Sequence, residues 1–419
     1  MFKYLTVKII FTLLVLLVLS QLNYAQNITL QQAIEEALVH NPELLKQGKK
    51  VKAAKAGIWE AVSPGDPHVF MELEQIPENS NSFDQYGEKK IGIQQEIEFP
   101  LNYYFKAKWQ NLEKKRVYSD YLQAKNDVVG EVKTKFFNVL LLKDQNILFD
   151  EILRISKQLL QKARVRVLAG ESSSYDTLKV KVDLAEVENR KLFIDKEFEL
   201  ALSELAMLLG RENCNNLEVA GELSYKPTSL SVDTLQILAL TNHPLLTQMQ
   251  ANVSQKKTER NLSWTGLLPN FEVKYFQQEF QGITREKAWG GEIGLSVPLF
   301  FFLKGQGKIR AASYNVAGAK WEQVSAERKV RFKVKEAFSK LQVAEKHYLN
   351  YKNNLSQVEE LVRIATRSYE EGEMGYLEVA EALRSLNRTK VGYSEALFSY
   401  LKAQADLEKA VGVSLFESK

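Results

Sequence analysis

The sequence predicts a mainly α-helical chain that adds four transmembrane β-strands and is built from two similar halves. Three observations lead to this prediction. Short motifs recur in the same order in both halves, four segments alternate apolar and polar residues as membrane-embedded strands do, and the long segments between them carry heptad repeats of apolar residues. Together they predict long coiled-coil helical hairpins and a short sheet that other copies of the chain must complete.

The duplication is the strongest signal. The recurring positions are Pro42 and Pro244, Pro100 and Pro298, Gly170 and Gly372, and Gly210 and Gly412. Three of these pairs are 202 residues apart and the second pair is 198 residues apart. Solenoid repeats have periods of roughly 20–50 residues, so this is one architectural half built twice. The predicted division is a first repeat over 26–210, a linker over 211–230, a second repeat over 231–413 and a short tail over 414–419.

Period-two alternation predicts the strands. They are expected at about 67–77 and 88–100 in the first repeat, and at about 270–280 and 288–300 in the second. In the second strand Ile91, Ile93 and Ile97 share one face, opposite Lys90 and Gln94. Each segment has about the 9–11 residues that a tilted strand needs to cross a bilayer. A soluble sheet with one face on a core is the alternative.

Four strands cannot form a membrane barrel alone, because an open edge in lipid leaves backbone groups without hydrogen bonds. The chain must therefore share the barrel wall with identical copies. Two copies would give eight strands and three would give twelve, and both are plausible barrel sizes.

The helices are predicted to be far longer than a globular domain needs. They are expected at about 42–62, 101–167, 176–209, 244–264, 304–369 and 376–411. From Val330 to Tyr369, twelve apolar or tyrosine residues follow heptad spacing without a break, which is typical of a coiled coil. A helix over 101–167 would be roughly 100 Å long. An ordinary helical bundle is the alternative for the heptad pattern alone.

Composition and targeting narrow the functional classes. Residues 1–25 are expected to be a secretory signal peptide, since Lys3 and Lys8 precede an apolar run that is short for a membrane helix. The formal net charge is only +4, with no basic block, so no nucleic-acid partner is predicted. No cofactor, metal site or catalytic group is predicted, because the four histidines are scattered and no nucleotide-binding or triad motif occurs. Cys214, the only cysteine, is expected to be an inert thiol in a loop.

The order of these motifs resembles the TolC family of outer-membrane efflux proteins. The motifs are the Leu30–Pro42 segment, the hairpin glycines Gly170 and Gly372, and the strand end Val297–Phe300. The segments 66–74 and 267–273 are similar to the heavy-metal branch (cobalt-zinc-cadmium or copper-silver resistance), although no lipid-bearing cysteine follows the signal peptide. The resemblance implies a homotrimer with a twelve-stranded barrel in the outer membrane and an α-barrel in the periplasm. It also implies a mixed equatorial region that includes residues 27–41 and 210–243.

The implied function is a passive exit duct, and not an enzyme. The trimer would be docked to a periplasmic adaptor (membrane-fusion protein) and to an inner-membrane pump of the resistance-nodulation-division (RND) type, and would conduct heavy-metal cations outward. Two alternatives stay open. The channel could export drugs or secrete proteins, or the chain could be a secreted coiled-coil structural protein.

The resemblance also implies functional residues at the periplasmic end. Glu378 and Glu381 are three residues apart and so lie on one helical face. In a trimer they would form stacked carboxylate rings that favour cations. A solvated helix face is the alternative.

A closing contact is expected between Asp176 and Tyr369, as in the family. Met374 stands where the family has an arginine, so a salt bridge in that form is not expected. Asp176→Ala is therefore predicted to loosen the closed state only mildly. The expected adaptor contacts are the hairpin tips Gly170, Glu171, Gly372 and Glu373.

Overall fold

A computed structural model describes residues 26–79, 83, 85–170, 173–215, 217–281 and 285–416. The predicted signal peptide and Glu171 lie outside the described residues. The chain forms two compact units. Unit 1 comprises the described residues of Met1–Leu45, Gln123–His243 and Val330–Lys419, and unit 2 comprises Lys46–Leu122 and Pro244–Lys329. Each unit therefore takes segments from both sequence halves.

Eight helices occur in the described part of the chain. They are α1 Leu30–His40, α2 Pro42–Val62, α3 Pro100–Leu168, α4 Ser174–Leu209, α5 Val232–Asn242, α6 Pro244–Thr265, α7 Phe301–Glu370 and α8 Tyr376–Val411. The long helices α3 and α7 have 69 and 70 residues, so the predicted helix lengths are confirmed. None of the described helices combines the length and apolar character that a membrane-spanning helix requires.

Unit 2 contains an antiparallel four-stranded sheet. Its strands are β2 His68–Glu74, β3 Glu88–Ile97, β5 Asn270–Gln281 and β6 Arg285–Ser296, in the order β2-β3-β5-β6. The first two strands end about three residues earlier than predicted, before Pro100 opens α3. Within this sheet β2 and β6 are edge strands, so their outer backbone groups have no partner strand among the described residues.

The register places the alternating residues on two chemically different faces. Val69 pairs with Ile93, which pairs with Tyr275, and Val273 pairs with Ile293. Side chains of this apolar face are largely exposed; Ile293 is 80% exposed. The opposite face carries ion pairs, such as Lys90 Nζ with Glu74 Oε1 at 2.9 Å. An exposed apolar face opposite a polar face is what a strand needs when one side contacts lipid and the other contacts water.

A two-stranded parallel sheet in unit 1 pairs β1 Gln26–Ile28 with β4 Leu217–Val219. Helix α1 follows it, with Thr29 and Gln32 forming a capping box. Asn41 Nδ2 then donates a 2.9 Å hydrogen bond to the carbonyl of Leu208, so the end of α4 lies beside the start of α2. Gly210 ends α4 with a φ of 78° and leaves no room for a side chain against His40.

The predicted heptad positions form the packed faces of the long helices. Val330, Val334 and Leu341 of α7 are at most 2% exposed. On α8 the equivalent buried positions include Val379 and Tyr400. The heptad pattern therefore predicted the buried faces correctly. Packing of these faces stabilises the helices more than the intrinsic helix propensity of their residues does.

A buried ion pair anchors the C-terminal segment in unit 1. Lys133 of α3 binds Glu408 of α8, and their side chains are 7% and 8% exposed. The second carboxylate oxygen of Glu408 accepts hydrogen bonds from the backbone N–H groups of Leu415 at 2.8 Å and Phe416 at 2.9 Å. It also accepts one from Ser414 Oγ at 3.2 Å. Glu408 thus fixes the chain just after α8 ends at Gly412.

Candidate functional site at the helical hairpin ends

The turn between α3 and α4 is made by glycine and a serine cap. Gly170 has a φ of 76°, in the left-handed region that glycine adopts without strain. Its N–H donates to the carbonyl of Val167 at 3.1 Å. Ser173 then caps α4 by accepting a hydrogen bond from the N–H of Tyr175. No heavy atom of the described residues lies within 4 Å of a Cβ placed on Gly170, so the space beside this glycine is open there.

The turn between α7 and α8 is a Schellman motif. Gly372 has a φ of 81° and donates to the carbonyl of Tyr369 at 3.2 Å. Glu373 donates to the carbonyl of Ser368 at 2.9 Å. Both residues are exposed, and a Cβ placed on Gly372 would meet no neighbour. The two repeats therefore end in open turns that are similar but differently capped.

A small apolar core holds the four helices together behind these turns. It contains buried residues from α3, α4, α7 and α8: Ala163, Val180, Ala365, Tyr369, Tyr376, Val379, Ala380 and Ala382. Alanine and valine predominate, so the helices can approach closely. Tyr369 and Tyr376 are the two large members of this core, and each lies against a charged partner.

A polar contact between α4 and α8 lies next to this core. Asp183 Oδ1 accepts a 2.8 Å hydrogen bond from Arg384 Nη2, and its Oδ2 accepts one from the Tyr376 hydroxyl at 3.3 Å. The bond to Asp183 raises the pKa of the Arg384 guanidinium. Burial, together with the charge of Asp183, raises the pKa of the Tyr376 hydroxyl. Both donors therefore stay protonated at physiological pH. We name Asp183, Tyr376 and Arg384 the α4–α8 clasp.

The two predicted entrance carboxylates differ in their surroundings. Glu381 Oε2 accepts a 3.4 Å hydrogen bond from Arg384 Nη1, and its side chain is 70% exposed. Glu378 is also exposed and lies in the first turn of α8, where the helix dipole favours a carboxylate. Among the described residues, no cation pairs with Glu378. No neighbouring cation there offsets the Glu378 carboxylate, whereas Arg384 partly offsets that of Glu381.

The predicted closing residues, Asp176 and Tyr369, form no hydrogen bond with each other within the described part of one chain. Asp176 is half-buried in the first turn of α4, and its carboxylate makes no hydrogen bond or ion pair within the described part of the chain. Tyr369 is buried beneath the Arg166 guanidinium, whose Cζ lies 4.7 Å from the ring centroid. Met374 is exposed in the turn. The contact between Asp176 and Tyr369 stays a prediction.

Sequence reasoning did not identify the clasp. Asp183 lies one residue before Leu184, a predicted heptad position, and Arg384 lies three residues after Glu381. These spacings place both at the polar border of a packed face, where charged residues often pair across helices. These spacings therefore weakly indicate that each residue lies at a contact between helices. They do not indicate that Asp183 and Arg384 contact each other.

A metal site is not found in the described residues, since no three His, Cys, Asp or Glu side chains are grouped suitably for a metal ion. Cys214 lies in a loop and is half-buried, with its sulfur 3.4 Å from Ser203 Oγ.

Comparisons with known proteins identify both the family and the fold. The sequence matches the family described as outer membrane efflux protein over residues 33–211 and again over residues 236–413. The cobalt-zinc-cadmium resistance protein CzcC of Cupriavidus metallidurans is 23% identical over 388 residues, covering 92% of this chain and 90% of CzcC. Outer membrane protein TolC of Escherichia coli is 23% identical over 427 residues, covering 94% of this chain and 83% of TolC.

The fold is also similar to a solved channel structure. The Campylobacter jejuni CmeC outer membrane channel superposes with a TM-score of 0.78 at 17% identity, covering 93% of this chain and 87% of that one. The predicted fold class and the predicted family resemblance are confirmed by these matches.

Proposed function

We propose that this chain, which belongs to the outer membrane efflux protein family, is the exit duct of a tripartite pump that expels heavy-metal cations. It is an outer-membrane efflux channel that extends into the periplasm, and it is not an enzyme. The cargo, the pump and the assembly are the proposed parts. The family match favours this channel over a secreted coiled-coil structural protein.

The observation that carries the proposal is the four-stranded sheet of unit 2. It exposes apolar residues on one face, ion pairs on the other, and two open edges at β2 and β6. Lipid would leave those edge groups unsatisfied at several kcal/mol each. Pairing of β6 with β2 of another copy removes both edges. Three copies then form a twelve-stranded barrel with its polar face around water.

The hairpin ends support the proposed periplasmic partners. Gly170, Gly372 and Glu373 form open turns that would be accessible to a periplasmic adaptor. An adaptor would in turn connect the duct to an RND-type pump in the inner membrane. The duct itself supplies no energy and serves as a continuous aqueous path.

Two observations favour metal cations as the cargo. CzcC, a relative that covers nearly the whole chain, is a cobalt-zinc-cadmium resistance protein by name. Glu378 and Glu381 add exposed negative charge near the proposed entrance, which favours cations over anions.

The charge difference between these residues gives a testable prediction. Glu378→Gln is expected to lower the cation-to-anion permeability ratio more than Glu381→Gln, because Arg384 already offsets part of the Glu381 charge. Reversal potentials of single channels in a salt gradient measure the ratio. Glu359→Gln, which alters an exposed helical carboxylate on α7 well before the turn, is the matched control and should leave it unchanged. An equal effect of all three variants would contradict the entrance assignment.

The identity of the exported substrate is tested in the bacterium that produces this protein. A deletion strain, with and without the restored chain, is compared for growth in zinc, cobalt, cadmium, copper, silver and a drug panel, together with a protein-secretion assay. The proposal predicts lost tolerance to one or more metals, recovered on restoration. Unchanged metal tolerance with new drug sensitivity, or with lost secretion, would overturn the metal cargo and leave the channel.

A further inference from the structure

Two phenylalanines lie on the polar face of the sheet, each beside a glycine. Phe70 of β2 pairs with Gly92 of β3, Gly92 pairs with Phe276 of β5, and Phe276 pairs with Gly290 of β6. The four residues therefore form one row across all four strands. The same pair, a phenylalanine followed by a glycine on the next strand, occurs in each sequence half.

Each ring occupies the space that a side chain on its glycine would need. A Cβ placed on Gly290 would lie 2.6 Å from Cζ and 2.7 Å from Cε2 of Phe276, which is closer than real Cβ contacts. A Cβ on Gly92 would lie 2.8 Å from Cζ of Phe70. Both rings therefore reach over the bare backbone of a glycine on the next strand. This is the packing in which an aromatic ring covers a strand glycine.

Several charged residues share this face of the sheet with the row. They include Glu72, Lys90, Glu272, Lys274 and Glu292. Lys274 Nζ bonds to Glu272 at 3.0 Å on its own strand and to Glu292 at 3.3 Å on the neighbouring strand. In the proposed channel this face surrounds water. A ring standing upright there would protrude into the lumen, whereas a flat ring lines it.

We propose that Gly290 and Gly92 set the width of the exit lumen by seating Phe276 and Phe70 flat against the barrel wall. Three copies would contribute six such rings to the lumen wall. This inference rests on the proposed function, because it requires the polar face to line a pore. The inference assigns the width of the barrel lumen to two positions, Gly92 and Gly290. Both are distant in sequence from the residues of the hairpin ends.

Gly290→Ala is the direct test, since the three nearest atoms to its Cβ all belong to the Phe276 ring. Gly92 is less suitable, because a Cβ there would also lie 2.5 Å from the backbone carbonyl oxygen of Tyr275. Gly294 supplies a matched control on the same strand and face. A Cβ on Gly294 would meet its nearest atom, Cβ of Glu272, at an ordinary 3.5 Å.

The readout is single-channel conductance of purified full-length protein in planar bilayers, after its assembly is checked by gel mobility without heating. Gly290→Ala should lower the conductance and Gly294→Ala should keep the wild-type value. Adding Phe276→Ala to Gly290→Ala should restore it to at least the wild-type value. Phe276→Ala alone should raise the conductance. This variant tests the inference if Gly290→Ala fails to assemble.

Two outcomes would overturn the inference alone. One is equal conductance of Gly290→Ala and Gly294→Ala in assembled channels, and the other is an unchanged conductance on removing the Phe276 ring. A wild-type protein that conducts no current would instead overturn the proposed function, and this inference with it.

Discussion

Asp183→Ala is expected to raise the conductance of the resting channel, because it removes the acceptor that joins α4 to α8 at the hairpin ends. Asp183 binds both Arg384 and Tyr376. A hydrogen bond to a charged group contributes about 1.5–3 kcal/mol when buried, and the 43% exposure of Arg384 reduces this toward about 1 kcal/mol. The hairpins would then part more readily.

The size of the effect depends on how many clasps open together. A loss of about 1 kcal/mol shifts a two-state equilibrium roughly fivefold. Three clasps opening in concert would shift it on the order of 100-fold. We therefore expect a clear increase in the open fraction of single-channel recordings. Arg384→Ala should act in the same direction, since it removes the charged donor of the same contact.

Asp176→Ala is the matched control for this prediction. Asp176 lies on the same helix, one heptad nearer the turn, and its carboxylate has no partner within the described part of the chain. Its replacement should loosen the closed state only mildly. A large conductance increase from Asp176→Ala, with none from Asp183→Ala in assembled channels, would show that closure depends on a contact between chains and not on the clasp.

Glu408→Ala is expected to destabilise the fold strongly. It leaves the Lys133 ammonium buried without its counter-charge and removes the acceptor for three hydrogen bonds of the C-terminal segment. Breaking a buried ion pair from one side costs about 3–5 kcal/mol. The midpoint of thermal unfolding, followed by circular dichroism of the helices in detergent, should fall by several degrees.

An exposed ion pair provides the comparison. Arg363 and Glu360 bond at 2.6 Å on α7, but their side chains are 74% and 50% exposed. Glu360→Ala should therefore leave the unfolding free energy almost unchanged, because solvent screens an exposed ion pair. A similar, small shift for both variants would show that the Lys133–Glu408 pair does not stabilise the fold. The Lys133→Met/Glu408→Ala double variant should recover only part of the loss, because the bonds to Leu415 and Phe416 stay absent.

Periodicity in the sequence was sufficient to predict most of the fold. Alternation placed Ile91, Ile93 and Ile97 on one face of their strand before the register was known, and heptad spacing identified Val334 as a core residue. These features follow from local geometry, since strands and helices repeat every two and 3.6 residues. Pro100 also marked the start of α3, although the strand before it ends sooner than predicted.

The hairpin-end contacts were less predictable because they depend on how two helices are offset along each other. Heptad spacing shows which face of α4 is packed, but it does not give the partner helix or the relative height of Asp183 and Arg384. The family resemblance implies a contact between Asp176 and Tyr369, while within one chain the polar contact lies at Asp183, Tyr376 and Arg384. The seating of Phe276 over Gly290 likewise became visible only from the cross-strand register.

In the proposed assembly, one chain supplies a third of a shared channel wall. The mass of the purified, processed protein in detergent, combined with its conductance in a planar bilayer, tests this assembly. We expect the mass of three copies and discrete conductance steps. A water-soluble monomer without conductance would contradict the shared wall, because the exposed apolar face of the sheet and its two open edges would then have no lipid and no neighbouring copy to satisfy them.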